Sequence, residues 1–173
     1  MQPPLLPLDV LRVRAGRVRL VVTDCDGVLT DAGVYYSQEG EALKRFSMRD
    51  GMGVERLRHA GVDVLILTAE TTGFARSRAH KLGIEARLGA RDKGEALLRI
   101  AAERGLDLAA LAYIGDDVND LSAMVLVQDE GLTGAPADAL PEVRSVAHCR
   151  CEHPGGHGAF REFAEWILGL RGE

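Results

Sequence analysis

Short continuous apolar runs alternate along the chain with longer stretches in which apolar residues recur every three or four positions. Leu20-Val21-Val22, Val62 to Leu67 and Leu111 to Ile114 are runs of the first kind, the pattern of strands buried on both faces of a parallel sheet. Asp50 to Ala60, Thr72 to Leu82 and Lys93 to Arg104 are helical stretches, the first and last stopped by Gly61 and Gly105. The first strand is placed near Val18 to Thr23, behind a Pro-rich N-terminal tail over residues 1–17, and a short strand is expected around Ile84 to Arg87. Val34-Tyr35-Tyr36 and Ala42 to Phe46 flank the polar Ser37 to Glu41, a hairpin pattern. After Asp120 the pattern weakens, with strands expected over Gly131 to Ala135 and Ser145 to His148 and a final helix over Ala159 to Leu170. Strands separated by helices predict an α/β fold, a Rossmann-like three-layer sandwich with a parallel sheet, right-handed crossovers and a small β-hairpin flap.

With 173 residues, 46% of them hydrophobic and 27% charged, the chain suits a single domain, placed over residues 18–173. A net charge of -5 argues against nucleic-acid binding through a generally basic surface. No apolar stretch approaches the length of a membrane span and Met1 to Leu11 lacks the marks of a signal peptide, so a cytoplasmic location is expected. Cys149 and Cys151 are too closely spaced for a disulfide framework, and with Cys25 they read as reduced thiols. His148, Cys149, Cys151, His153 and His157 match no common zinc spacing and read as a polar surface loop.

The chemistry lies in two acidic clusters, each ending an apolar run: Asp24-Cys25-Asp26-Gly27 and Gly115-Asp116-Asp117-Val118-Asn119-Asp120. Parallel strands open at their carboxyl ends into the crevice where α/β folds bind ligands. Carboxylates gathered there repel one another unless a hard divalent cation holds them, and Mg²⁺ is the usual oxygen-bound choice.

Four separated motifs resemble, in order, those of the haloacid dehalogenase (HAD) superfamily of phosphatases: Asp24 to Asp31, then Thr68, then Lys93, then Gly115-Asp116-Asp117 with Asp120. The resemblance implies phosphomonoester hydrolysis in which Asp24 is the nucleophile and forms an aspartyl-phosphate, Asp26 is the general acid and base, and Thr68 and Lys93 bind the phosphate. It also implies Mg²⁺ held by Asp24, the Asp26 main-chain carbonyl and Asp116. Asp117 and Asp120 are left between orienting Lys93, acting through water, and, for Asp120, a helix-turn hydrogen bond.

Too little sequence separates the motifs for a cap domain, so the chain resembles the capless subgroup, which implies a homotetramer whose neighbouring subunit completes the active site. The hairpin with Tyr35, Tyr36 and Phe46 is the candidate subunit contact, against simple packing on its own domain. Within that subgroup, Leu43-Lys44-Arg45-Phe46, Arg49-Asp50-Gly51-Met52-Gly53 and Gly155-Gly156-His157-Gly158-Ala159 resemble the phosphatases of 2-keto-3-deoxy sugar acid phosphates. The branch acting on 3-deoxy-D-manno-octulosonate (KDO) 8-phosphate reads Thr-Gly-Arg where this chain has Thr68-Ala69-Glu70. Glu70 is closer to the branch acting on the 9-phosphates of 2-keto-3-deoxynononate (KDN) and N-acetylneuraminate. Arg78 and Lys81 match family positions that reach the substrate's carboxylate and hydroxyls, Arg78 from a neighbouring subunit. Gly131 to Ala139 and Arg161 to Glu165 resemble the phosphatase-like module of certain CMP-sialic acid synthetases. That module can act only as a tetramerisation scaffold, the rival reading, and a phosphotransfer receiver domain is a third. His157 stands where many relatives have Arg and is left out of the site.

Overall fold

The computed structural model describes residues 6–173. In chain order its elements are α1 (Leu8–Arg17), β1 (Leu20–Thr23), β2 (Tyr35–Ser37), β3 (Gly40–Leu43), α2 (Met48–His59), β4 (Asp63–Leu67), α3 (Gly73–Leu82) and β5 (Glu85–Arg87). There follow α4 (Lys93–Arg104), β6 (Leu111–Ile114), α5 (Leu121–Gln128), β7 (Leu132–Ala135), α6 (Pro141–Ser145), β8 (Cys149–Arg150) and α7 (Ala159–Arg171).

Six strands form one parallel sheet in the order β5-β4-β1-β6-β7-β8, with β2 and β3 as a separate antiparallel hairpin. Every residue of β1 and β6 is buried, as continuous apolar runs require at the centre of such a sheet. Alternation along the strands divides the core in two. Val21, Val64 and Ile66 point to a layer built with α2, α3 and α7, where Leu57, Phe160, Phe163 and Ile167 are buried. Leu20, Val22, Leu65 and Leu67 point to the opposite layer, with Leu97 and Ile100 of α4 and Met124 and Val127 of α5. These are the three layers of the expected sandwich.

Three readings of secondary structure change. The tail expected over residues 1–17 lies outside the described residues for its first five positions, but from Leu8 to Arg17 it is helix. Arg14 pins that helix, donating to the carbonyl oxygens of Gln128, Asp129 and Gly131 at 2.6, 2.6 and 3.0 Å. The strand expected over Ser145 to His148 is instead the end of α6 and the turn after it: Pro141 sits in the first turn, where its missing N–H costs nothing. Helix α5 was not anticipated, because Leu121-Ser122-Ala123-Met124-Val125-Leu126-Val127 is apolar nearly all round and carries no clear helical stripe.

Two of the quoted sequence motifs prove to be joints. Asp50 accepts from the backbone N–H of Gly158 and Arg161 at 3.3 and 3.0 Å and so caps α7. A Cβ on Gly155 would stand 2.0 Å from the Gly27 carbonyl oxygen, so the Gly-Gly turn permits the C-terminal loop to press against the loop after β1. Cys149 and Cys151 are buried rather than displayed on a polar loop, and all three cysteines are free thiols.

Candidate active site

From β1 the chain builds one side of the sheet through β4 and β5, then returns across β1 to begin the other side with β6. The carboxyl ends of β1 and β6 therefore flank a switch point, the place where an open α/β sheet leaves a crevice uncovered. Asp24 follows β1 directly, its N–H donating to the Ile114 carbonyl at 3.0 Å. Thr68 follows β4, and Gly115-Asp116 follow β6, so all three ends meet at one cleft. That cleft has a volume of about 300 Å³ and its wall includes Asp24, Asp26, Thr68, Glu70, Asp116 and Asn119. A hollow of about 450 Å³ by Arg17, Arg19 and Asp107 lies at the opposite end of the strands, away from the acids.

Lys93, the first residue of α4, is completely buried beneath the cleft and joins the two acidic clusters. Its ammonium lies 2.8 Å from Asp24 Oδ1 and 2.7 Å from Asp120 Oδ1. Burial disfavours that charge, but the facing charges of Asp24 and Asp120 outweigh it and hold the Lys93 pKa above its usual value. Asp120 is the hub. It also accepts from the Tyr113 hydroxyl at 2.7 Å and from the N–H groups of Asp116 and Asp117 at 3.0 and 3.3 Å. Gly115 makes room for it, since a Cβ there would lie 2.4 Å from the Asp120 carboxyl carbon. Of the three possibilities left open by sequence, Asp120 has the contacts of two, pairing with Lys93 and tying the turn; Asp117 is exposed and caps that turn through Val118 N–H at 2.6 Å.

Asp24, Asp116 and Asp120 are the one group among the described residues whose carboxylate oxygens converge as a metal-binding set, all within 4.8 Å of one another. Burial, then the charge of Asp120, pushes the Asp24 pKa up to about 7 against the pull of Lys93. Burial, then the charges of Asp24 and Asp120, pushes Asp116 up to about 8. Asp116 Oδ1 is buried without a hydrogen-bond partner, and Gly27, at φ +90°, leaves the space that the Asp116 carboxylate occupies. An orphaned buried carboxylate oxygen facing a second carboxylate fits a hard divalent cation. Asp120 is already saturated by four donors, so Asp24 and Asp116 are the acids with valence to spare.

Asp26 stands on the other wall. Its Oδ1 accepts from the Thr30 hydroxyl at 3.0 Å and its Oδ2 from Lys44 Nζ at 2.7 Å. Thr68 is nearly sealed and its Oγ1 accepts from the Glu70 N–H at 3.1 Å, which leaves its own hydroxyl hydrogen to donate. Sequence reasoning passed over Lys44, quoting it only within a motif; a lysine at the foot of a hairpin above paired acids was the available signal. Arg78 and Lys81 do not join the cleft of their own chain. Arg78 donates to the Ser47 carbonyl at 2.8 Å and lies over the Phe46 ring, 5.5 Å from its centroid. Lys81 is exposed and borders a separate hollow with Glu55, Arg58 and His59. Phe46 thus packs within its own domain, unlike Tyr35, Tyr36 and Leu43, which are 67%, 68% and 64% exposed.

No family model matches the chain. Among curated proteins it is 39% identical over 158 residues to the 3-deoxy-D-manno-octulosonate 8-phosphate phosphatase KdsC of Haemophilus influenzae, covering 90% of this chain and 86% of that one. It is 36% identical over 160 residues to N-acylneuraminate cytidylyltransferase A of Danio rerio, covering 89% of this chain but 36% of that longer protein. Among solved structures, the 3-deoxy-D-manno-octulosonate 8-phosphate phosphatase of Moraxella catarrhalis, in complex with magnesium ion, phosphate ion and KDO, superposes with a TM-score of 0.88 at 31% identity, covering 96% of this chain and 94% of that one.

Proposed function

Because this chain belongs to the KDO 8-phosphate phosphatase family of the HAD superfamily, and is a phosphatase, we propose that it cleaves the phosphomonoester of a 2-keto-3-deoxy sugar acid, with the 9-phosphate of KDN or N-acetylneuraminate preferred. The observation that carries the hydrolytic reading is the pairing of Asp24, held at one oxygen by the sealed Lys93, with the orphaned Asp116 carboxylate across the cleft. A scaffold has no use for a buried lysine between two acids, whose desolvation costs more than an apolar core would.

Asp24 is the nucleophile: its oxygen attacks phosphorus, the ester oxygen departs, and an aspartyl-phosphate forms. Lys93 keeps Asp24 oriented and has a third N–H free for a phosphate oxygen, while the Thr68 hydroxyl donates to another. Asp26 gives a proton to the leaving alcohol and then takes one from the water that splits the aspartyl-phosphate. Asp24, Asp116 and the Asp26 main-chain carbonyl would hold Mg²⁺, which when bound neutralises phosphate charge and aligns the attack.

Glu70 supports the nine-carbon preference: it lines the cleft wall at the position where the KDO branch reads Arg in Thr-Gly-Arg, and the similarity to an N-acylneuraminate cytidylyltransferase, over 89% of this chain, agrees with it. The names of the curated phosphatases favour the second reading, KDO 8-phosphate. Arg78 and Lys81 would serve a neighbour's cleft within a homotetramer assembled through the exposed hairpin tyrosines.

The test is Mg²⁺-dependent phosphate release, comparing kcat/KM for KDN 9-phosphate, N-acetylneuraminate 9-phosphate and KDO 8-phosphate, with Asp24→Asn as the inactive control. Preference for a nine-carbon acid supports the reading of Glu70, and preference for KDO 8-phosphate establishes the second. Turnover of all three by Asp24→Asn would overturn the covalent mechanism.

A further inference from the structure

Lys44 sits in a place a lysine rarely occupies. It follows the hairpin strand β3, which ends on two exposed residues, yet its side chain is only 6% exposed. The ammonium is 2.7 Å from Asp26 Oδ2, 3.5 Å from Glu70 Oε2 and 5.8 Å from the centroid of the Phe74 ring. A lysine on a hairpin edge ordinarily extends its head into water; one turned inward is retained where its charge is matched. Here two carboxylates and a ring face match it. Burial disfavours the charge, but hydrogen bonding to Asp26 and the charges of Asp26, Glu70 and Glu41 outweigh it and hold the Lys44 pKa above its usual value.

We propose that Lys44 is a positioning residue for the proton transfer, clamping the Asp26 carboxyl group from the hairpin side with Glu70 as its second anchor. The inference rests on the reading of Asp26 as general acid and base. With Lys44 on Oδ2 and the Thr30 hydroxyl on Oδ1, neither carboxyl oxygen is free to swing, and proton transfer is steeply sensitive to such alignment. Glu70 then acts on the chemistry through Lys44 as well as on any ligand it meets: its Oε2 also accepts from the Thr72 hydroxyl at 3.1 Å, which fixes the anchor. The hairpin becomes a working part of the active site rather than a flap above it.

The test uses the full-length Mg²⁺-loaded protein and aryl phosphates of graded leaving-group acidity, which carry no sugar for Lys44 or Glu70 to bind. The ratio kcat/KM covers events through the first irreversible step, formation of the aspartyl-phosphate, so a poor leaving group needs the acid and a good one does not. Lys44→Met is expected to depress phenyl phosphate at least tenfold more than 4-nitrophenyl phosphate, within the about 10²–10⁴-fold that a positioned acid supplies. Lys44→Arg is expected to recover part of the difference. Glu70→Ala is expected to move the ratio the same way, and to add nothing in the Lys44→Met background. Equal losses across the series in Lys44→Met and Glu70→Ala, while Asp26→Asn steepens the dependence, would overturn the role of Lys44 alone. Equal losses in Asp26→Asn as well would overturn the assignment of Asp26 and the inference with it.

Discussion

Lys93 and Asp120 form an ion pair at 2.7 Å in which both side chains are wholly shut off from solvent. Their partnership joins the start of α4 to the turn after β6, and it fixes the ammonium that touches Asp24. Asp120→Ala leaves Lys93 half-paired and strips the Tyr113 hydroxyl and two backbone N–H groups of their acceptor. The expected cost is about 3–5 kcal/mol, the range for breaking a buried pair, read as a lower midpoint in denaturant titration. A loss within a few tenths of a kcal/mol would mean that the turn holds itself without the carboxylate.

Gly27→Ala would bring a methyl group to 1.9 Å from Asp116 Oδ2 at a position whose φ of +90° already disfavours any side chain. The Asp116 carboxylate must move. Displacing a residue that places a metal ligand is expected to raise the Mg²⁺ concentration for half-saturation by about 10–100-fold, measured by calorimetry on protein stripped with chelator and then titrated. Unchanged affinity would remove Asp116 from the metal set.

His148 gives a pH dependence outside the active site. Burial, with the nearby Arg14 charge, pushes its pKa down from 6.5 to about 4, and its Nδ1 accepts from the Thr133 N–H at 3.1 Å. Between those two pH values the unfolded chain binds a proton that the folded chain refuses, so this residue's contribution to stability is intact above pH 6.5 and is lost as pH falls towards 4. His148→Gln is expected to flatten the fall of Tm over that window. An identical slope in the variant would assign the acid sensitivity to other groups.

Tyr36 projects from the hairpin with 68% of its surface exposed, beside Tyr35. Charge at this position, in Tyr36→Glu, is expected to convert the proposed tetramer into smaller species in sedimentation velocity, with the far-ultraviolet circular dichroism unchanged. A wild-type monomer, or a tetramer that ignores the charge, would place assembly elsewhere.

Much of this molecule was legible before its coordinates, for identifiable reasons. The runs at Leu20, Val64 and Leu111 are apolar because the strands are buried on both faces, so their hydrophobicity alone marks a parallel sheet and places Asp24, Thr68 and Asp116 at its carboxyl end. Helix α4 was read to the residue, Lys93 to Arg104, because Gly105 ends it in a left-handed turn at φ +63°. Helix α5 was missed because an almost wholly apolar segment has no periodicity to detect, and α1 because a proline-rich start masked a helix that tertiary contacts hold in place, Arg14 on the carbonyls at the end of α5, Arg171 on the Ala15 carbonyl and Ala15 buried in the core. Tertiary structure alone decided which acids share a charge. Asp24 and Asp120 are far apart in the chain and face one another, with Lys93 on both, only because β1 and β6 lie side by side, while Lys44 reaches Asp26 only because the hairpin folds back over the loop after β1. A sequence records which groups ionise; the distances that set their mutual repulsion, their burial and their free valences arise when strands distant in the chain are laid side by side.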